Sequence, residues 1–185
     1  MKLNLGSAHK RFEGFTNVDK FEIFNPDILH DLELFPYPIE DNSVDEIKMH
    51  HILEHIGRDP DIYNKVFKEI YRISSNDAKI DIIVPHPRHD LYLADPTHVR
   101  PITKLGLELF DKDLNERWKQ SGVANSQLAL IHNVNFKIID VIVTLEKKYH
   151  DLLQTNQISN SELQDYISKY NNVVIETNFI LKVIK

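Results

Sequence analysis

The stretch Met1 to Asp19, MKLNLGSAHKRFEGFTNVD, decides how the rest of the chain is read. Lys2 to Leu5 alternates polar and apolar side chains, as a strand does. The run stops at Gly6-Ser7-Ala8, three of the smallest residues. A second apolar run, Phe15 to Val18, follows Gly14 and ends on the carboxylate Asp19. Strand, small-residue turn, second strand and terminal acid is the layout of a nucleoside site at the carboxyl edge of a parallel sheet. Small residues let a ligand approach the backbone, and the acid accepts hydrogen bonds from both ribose hydroxyls. Such a turn is common by itself, so its weight depends on the segments further along the chain.

The composition bounds the answer. A chain of 185 residues holds one well-buried core, so one domain over 1–185 is expected. Apolar content of 42% and charged content of 27% are those of a globular protein. A net charge of −6 disfavours a nucleic-acid partner, because such binding runs on phosphate contacts. With no cysteine, disulfides and thiolate metal sites are excluded. No apolar run nears the ~18 residues of a membrane span, and Lys2 opens the first strand with no signal-peptide core before it. The expectation is a cytoplasmic protein with no membrane contact. Glycine occurs only five times, which makes Gly6 and Gly14, bracketing the first turn, more informative.

Outward from the first turn, Asp27 to Leu32 reads as a short strand carrying Asp31. The two prolines in Phe35-Pro36-Tyr37-Pro38 forbid helix and central strand. Val44 to Met49 reads as a strand followed by His50 and His51, and Ile52 to Ile56 as a short helix stopped near Gly57. Asp59-Pro60 opens a helix whose apolar set keeps helical spacing to about Ser74. Asn76-Asp77 then turns the chain into a buried strand, Lys79 to Val84. Pro85 to Pro101 shows no periodicity, a loop length that signals function. Helices are expected from Thr103 to Phe110, Asp111 to Gln120, Lys147 to Gln154 and Ser161 to Tyr170. Strands are expected at Phe136 to Leu145 and Val173 to Ile184, the last two as antiparallel neighbours. The order β-β-β-β-α-β-α-β-α-β describes an open α/β sheet with reduced early helices.

Four blocks in this order carry a resemblance: Leu3-Asn4-Leu5-Gly6-Ser7, Gly14-Phe15-Thr16-Asn17-Val18-Asp19, Asp41-Asn42-Ser43-Val44-Asp45-Glu46 and His51-Ile52-Leu53-Glu54-His55. The chain resembles class I S-adenosylmethionine-dependent methyltransferases. Asp95-Pro96-Thr97-His98-Val99-Arg100-Pro101 and Tyr170-Asn171-Asn172-Val173-Val174 add a likeness to a small bacterial branch of that family. The resemblance implies a Rossmann-like, seven-stranded, mostly parallel sheet with an antiparallel last strand. It implies S-adenosylmethionine as methyl donor and S-adenosylhomocysteine as product. Carried over, Gly6, Ser7 and Ala8, led into by Leu5, line the methionine part of the donor. Asp19 takes the ribose hydroxyls, Asp31 and Leu32 sit beside the adenine, and His50 and His51 face the methyl group and the acceptor. Two departures stand out. Ala8 occupies a position where the family has glycine, and Gly6 to Asp19 is too short for a full first helix, against a general spacing of ~20 residues.

Methyl transfer needs alignment above all, and a general base where the acceptor is a hydroxyl or protonated amine. His51, His89 and His98 are the candidate bases, each weighed against an ordinary hydrogen-bonded structural histidine. No metal ligand set is assigned. A rival reading takes His51-Ile52-Leu53-Glu54-His55 as the H-x-x-E-H pattern of a zinc hydrolase, with His86, His89, Asp90 and His98 as further ligands. The strand just before it argues against a helix carrying both histidines. Arg88 and Arg100, in the 85–101 loop, are expected either to bind an acceptor carboxylate or phosphate, or to pair with Asp90 and Asp95. Met49-His50-His51-Ile52 stands where base-amino methylases carry Asn/Asp-Pro-Pro-Tyr/Phe. A small molecule, a sugar or a protein side chain is therefore the expected acceptor. A methyltransferase fold that has lost catalysis and serves as a donor-binding or partner module is the alternative.

Overall fold

Alternate side chains of a pleated strand point to opposite faces, and the first strand, β1 (Lys2–Leu5), accordingly buries Leu3 and Leu5 on one face. All residues 1–185 are described by a computed structural model. Six further strands follow: β2 (Thr16–Asp19), β3 (Ile28–Leu29), β4 (Val44–His50), β5 (Ser74–Pro85), β6 (Phe136–Leu145) and β7 (Val174–Val183). They form one seven-stranded sheet in the order β3-β2-β1-β4-β5-β7-β6. Neighbours from β3 to β5 are parallel, and β7 runs antiparallel to both β5 and β6. The order reverses direction at β1, and in open sheets that reversal leaves a crevice at the strands' carboxyl ends.

Helix α1 (Pro60–Ile73) joins β4 to β5. Asp59 caps it by accepting from Asp61 N–H at 2.8 Å, with Pro60 at the position that loses no hydrogen bond. Tyr63, Val66, Phe67, Ile70 and Ile73 fall on one helical face and are buried against Ile47, Met49, Ile80 and Ile82 of the sheet. Each such side chain contributes about 1.5–3 kcal/mol on burial. Phe67 stacks on Phe110 at 4.1 Å and meets Phe136 edge-on at 5.5 Å, which draws α3 (Lys104–Glu108) and β6 onto the same face. The remaining helices are α2 (Asp90–Ala94), α4 (Lys112–Ser121), α5 (Leu128–His132), α6 (Lys147–Gln154) and α7 (Asn160–Lys169).

The opposite face of the central strands is polar. Lys48 pairs with Asp81 at 2.8 Å, and Lys2 with Glu46 at 2.8 Å. Phe12 and Phe15, from the connection between β1 and β2, lie over the Lys48 ammonium at 5.0 and 5.4 Å. No helix forms in that connection, and only a 3-10 turn, Glu22–Phe24, lies between β2 and β3, so the early helices are reduced as expected. Several local expectations are corrected. Helix α1 passes directly into β5 at Ser74, whose hydroxyl donates to Ile70 O at 2.6 Å, so Asn76-Asp77 lies inside a longer strand. The helix expected over 52–56 is a 3-10 turn, Leu53–His55. The strand expected over 27–32 is two residues long, and the 85–101 loop contains α2.

Candidate functional site

The turn after β1 is built tightly. Gly6 N–H donates to Val18 O at 2.8 Å, and Gly6 adopts φ +64°. A Cβ there would overlap the side chain of Ile52, its Cβ at 2.8 Å, so glycine is required by packing as well as by backbone conformation. Ala8 adopts φ +41°, in the left-handed region that glycine occupies at no cost. What holds it there is Asp19: Oδ2 accepts from Ala8 N–H at 2.8 Å and Oδ1 from Phe21 N–H at 3.0 Å. Asn4 ties the same loop down through Lys10 O at 2.8 Å and Asn17 at 3.0 Å.

Around this turn lies a cleft of about 420 Å³ at the carboxyl ends of β1 to β4. Gly6, Ala8, Asp19, Asp31, Leu32 and His51 all line it. Asp19 is nearly buried, and each of its oxygens keeps a lone pair beyond the backbone bond it accepts. Asp31 accepts from Glu33 N–H at 3.0 Å and lies 3.8 Å from Lys20. The apolar part of the lining includes Phe21, Phe24, Ile52 and Ile56, with Phe21 and Phe24 edge-to-face at 6.0 Å. Sequence reasoning does not single these out. A signal for Phe21 exists, two positions beyond the acid, whereas Phe24 enters only because the 3-10 turn folds it back.

His51, with φ +55°, follows directly on β4 and begins the turn that carries Glu54 and His55. Its Nε2 lies 3.2 Å from Glu176 and its Nδ1 3.7 Å from Glu54. The Glu54 carboxylate, the largest influence, raises the His51 pKa above the usual histidine value; burial opposes this, and the Glu176 charge adds to it. Glu54 O accepts from Val99 N–H at 2.9 Å and Arg100 N–H at 3.3 Å, so the 95–101 loop is docked on the turn and brings Thr97 and His98 beside it.

Other candidates lie elsewhere. Leu5 is fully buried in the core, and Ser7 is buried beneath the turn with its hydroxyl unpartnered. His50 faces the opposite side of the sheet, with Lys10 at 3.2 Å and Asp81 at 3.4 Å, the latter too poorly aligned for a hydrogen bond. His50 is the last residue of β4, whereas His51 leaves the strand in a left-handed conformation, φ +55°, which turns its side chain to the cleft. His89 has both ring nitrogens engaged: Nδ1 accepts from Leu91 N–H at 3.1 Å and caps α2, so Nε2–H donates to Glu146 at 2.9 Å. It lies outside the cleft. Neither arginine pairs with Asp90 or Asp95, and neither lines the cleft. Arg88 donates to Ser168 O at 2.9 Å, and Arg100 donates to Gly57 O at 2.7 Å with its guanidinium 4.2 Å from the Tyr63 ring. The zinc-hydrolase pattern fails locally as well, because His51 lies before a 3-10 turn and shares no α-helical face with His55.

No protein-family model matches the chain, and no curated protein matches it. Solved structures do. The chain is similar to an S-adenosylmethionine-dependent methyltransferase from Archaeoglobus fulgidus, at 16% identity over 98% of this chain and 85% of that one, with a TM-score of 0.67. It is also similar to one from Methanosarcina mazei, at 13% identity over 99% and 92%, with a TM-score of 0.56. A third similar structure is the [4+2]-cyclase SpnF, at 14% identity over 99% and 75%, with a TM-score of 0.55. The fold is that of class I S-adenosylmethionine-dependent methyltransferases. Because one fold hosts several chemistries, the function has to be argued from the site.

Proposed function

We propose that this chain is an S-adenosylmethionine-dependent methyltransferase acting on a small-molecule, sugar or protein acceptor in the cytoplasm. The observation that carries this reading is the convergence of Gly6, Ala8, Asp19, Asp31 and His51, from four strand ends, on one cleft. Its volume lies within the ~300–1,000 Å³ of small-molecule sites. The residues fit the donor: a glycine turn with no room for a Cβ, an acid with free lone pairs, and an aromatic and aliphatic wall for a base. When bound, S-adenosylmethionine supplies an already activated methyl group. Asp19 accepts hydrogen bonds from ribose hydroxyls, Asp31 and Leu32 flank the adenine, and the Gly6 to Ala8 backbone borders the remainder. His51, on the same cleft, positions the acceptor or takes its proton.

Ala8 in the left-handed region and the prior engagement of both Asp19 oxygens favour one second reading, a donor-binding module without catalysis.

Calorimetric titration with S-adenosylmethionine and S-adenosylhomocysteine tests the donor site. Micromolar binding is expected, weakened at least about tenfold in Asp19→Ala, since hydrogen bonds to a charged group are worth about 1.5–3 kcal/mol. Thermal unfolding of the variant separates this from loosening of the Ala8 turn. Absence of binding to either ligand at millimolar concentration overturns the proposal.

A further inference from the structure

Beside the cleft, a second cavity of about 240 Å³ is lined by His51, His55, His98, Glu54, Asp95 and Glu176, with no lysine or arginine in its wall. Three of these residues offer ligand atoms to a common point: Glu54, His55 and His98, whose atoms lie within 4.8 Å of one another. We propose that Glu54, His55 and His98 bind a divalent first-row transition cation, Zn²⁺ being the best match to one carboxylate and two imidazoles.

Three further observations support the set. First, Glu54 is 1% exposed and its Oε2 has no hydrogen-bond partner. A buried, unpaired carboxylate oxygen is costly unless a cation compensates it.

Second, the hydrogen bonds around the two histidines leave one nitrogen of each ring, Nε2, free to ligate. His98 Nδ1 lies 2.7 Å from Tyr92 O, an atom that only accepts, so Nδ1 carries the proton and Nε2 the lone pair. Thr97 Oγ1 donates to Asp95 at 2.6 Å and accepts from His55 Nδ1–H at 2.9 Å, which leaves His55 Nε2 free in the same way. A carboxylate-backed relay of this kind is the usual outer support of a metal-bound histidine. Third, the backbone fixes the residues together, since Glu54 O accepts from Val99 and Arg100 on the loop that carries His98. At metal–ligand distances of about 2.0–2.2 Å the ligand atoms need to close by roughly an ångström, within reach of side-chain rotation.

This set narrows the H-x-x-E-H reading of the sequence, keeping Glu54, His55 and His98 and leaving out His86, His89 and Asp90. His51 also drops out, turning instead toward Glu176 at 3.2 Å. The site shares His51 and His55 with the wall of the adjoining cleft, and its test reads coordination whether or not that cleft holds a methyl donor. The competing arrangement is metal-free, with a protonated His98 Nε2 facing Asp95 at 3.9 Å.

Chelator-treated protein titrated with Co²⁺ distinguishes the two, because visible d–d bands report coordination without reference to any catalytic activity. One equivalent of Co²⁺ is expected to bind, with Zn²⁺ bleaching the bands. His55→Ala and His98→Ala are each expected to weaken binding at least about 100-fold, and Thr97→Val, which removes only the outer support, about 10–100-fold. Thr97 is exposed, so its variant serves if the histidine variants fail to fold. The exposed His150→Ala is the control for surface coordination. Absence of bands at saturating Co²⁺ in protein folded by circular dichroism overturns the proposal. So does wild-type affinity in Thr97→Val together with loss in His150→Ala.

Discussion

A single methyl group sets the conformational balance of the first turn. Ala8 is held at φ +41° by the hydrogen bond from its N–H to Asp19. The left-handed conformation costs an L-residue about 1–2 kcal/mol, while glycine loses about 0.5–1 kcal/mol more entropy on folding. Ala8→Gly is therefore expected to stabilise the protein by up to about 1 kcal/mol, read by urea unfolding. Loss of stability would show that the alanine methyl packs usefully enough to offset the strain. The departure at Ala8 was legible in the sequence. The compensating bond to Asp19 was not, because nothing in the sequence indicates that the same carboxylate closes the turn.

At the scale of elements, the histidines show how much depends on which face an element presents. His89 reads as a base because it lies in an irregular, functional-looking loop, yet it caps α2 and donates to Glu146. His89→Ala is expected to cost about 1 kcal/mol in unfolding free energy, the usual loss of a cap, and to leave donor affinity unchanged in calorimetry. A change in affinity without loss of stability would return His89 to the site. His50 and His51 are adjacent in sequence, but His50 ends β4 on the polar face of the sheet, while the left-handed backbone of His51, just past the strand, turns it to the cleft. The H-x-x-E-H spacing and His98 were both visible as candidates, but that His98 and not His51 joins Glu54 and His55 follows from the docking of a distant loop on Glu54 O.

Across the whole molecule, the sheet is covered by helices on one face and by a short aromatic loop over a charged layer on the other. Asp81 is central to that layer. Burial opposes its ionisation, but the neighbouring His50 and Lys48 outweigh it and hold the carboxyl well below the ordinary carboxylate range. A group whose folded pKa is depressed contributes stability above its unfolded value of about 4, and that contribution is lost as pH falls further. Wild-type stability is thus expected to fall below about pH 4. Asp81→Asn is expected to be less stable than wild type at neutral pH, the gap narrowing with acidification in urea unfolding measured from neutral pH to about pH 3. An unchanged gap would remove Asp81 from the account.

The sequence by itself determined the elements that rest on local spacing. The first two strands and their glycine turn, the amphipathic run of α1, the two long closing strands and the fold class all follow from periodicity and turn chemistry, which neighbouring residues carry. The tertiary structure decided which side chains meet. FKIIDVIVTL reads as a strong strand anywhere in a sheet, yet it occupies the edge beyond β7 and leaves Ile139 and Ile142 exposed. Phe21 and Phe24 enter the cleft, Arg100 leaves it to stack on Tyr63, and Glu54, His55 and His98 come together because of contacts between distant segments. Those contacts depend on strand order, face and loop docking, and no local pattern of residues encodes them.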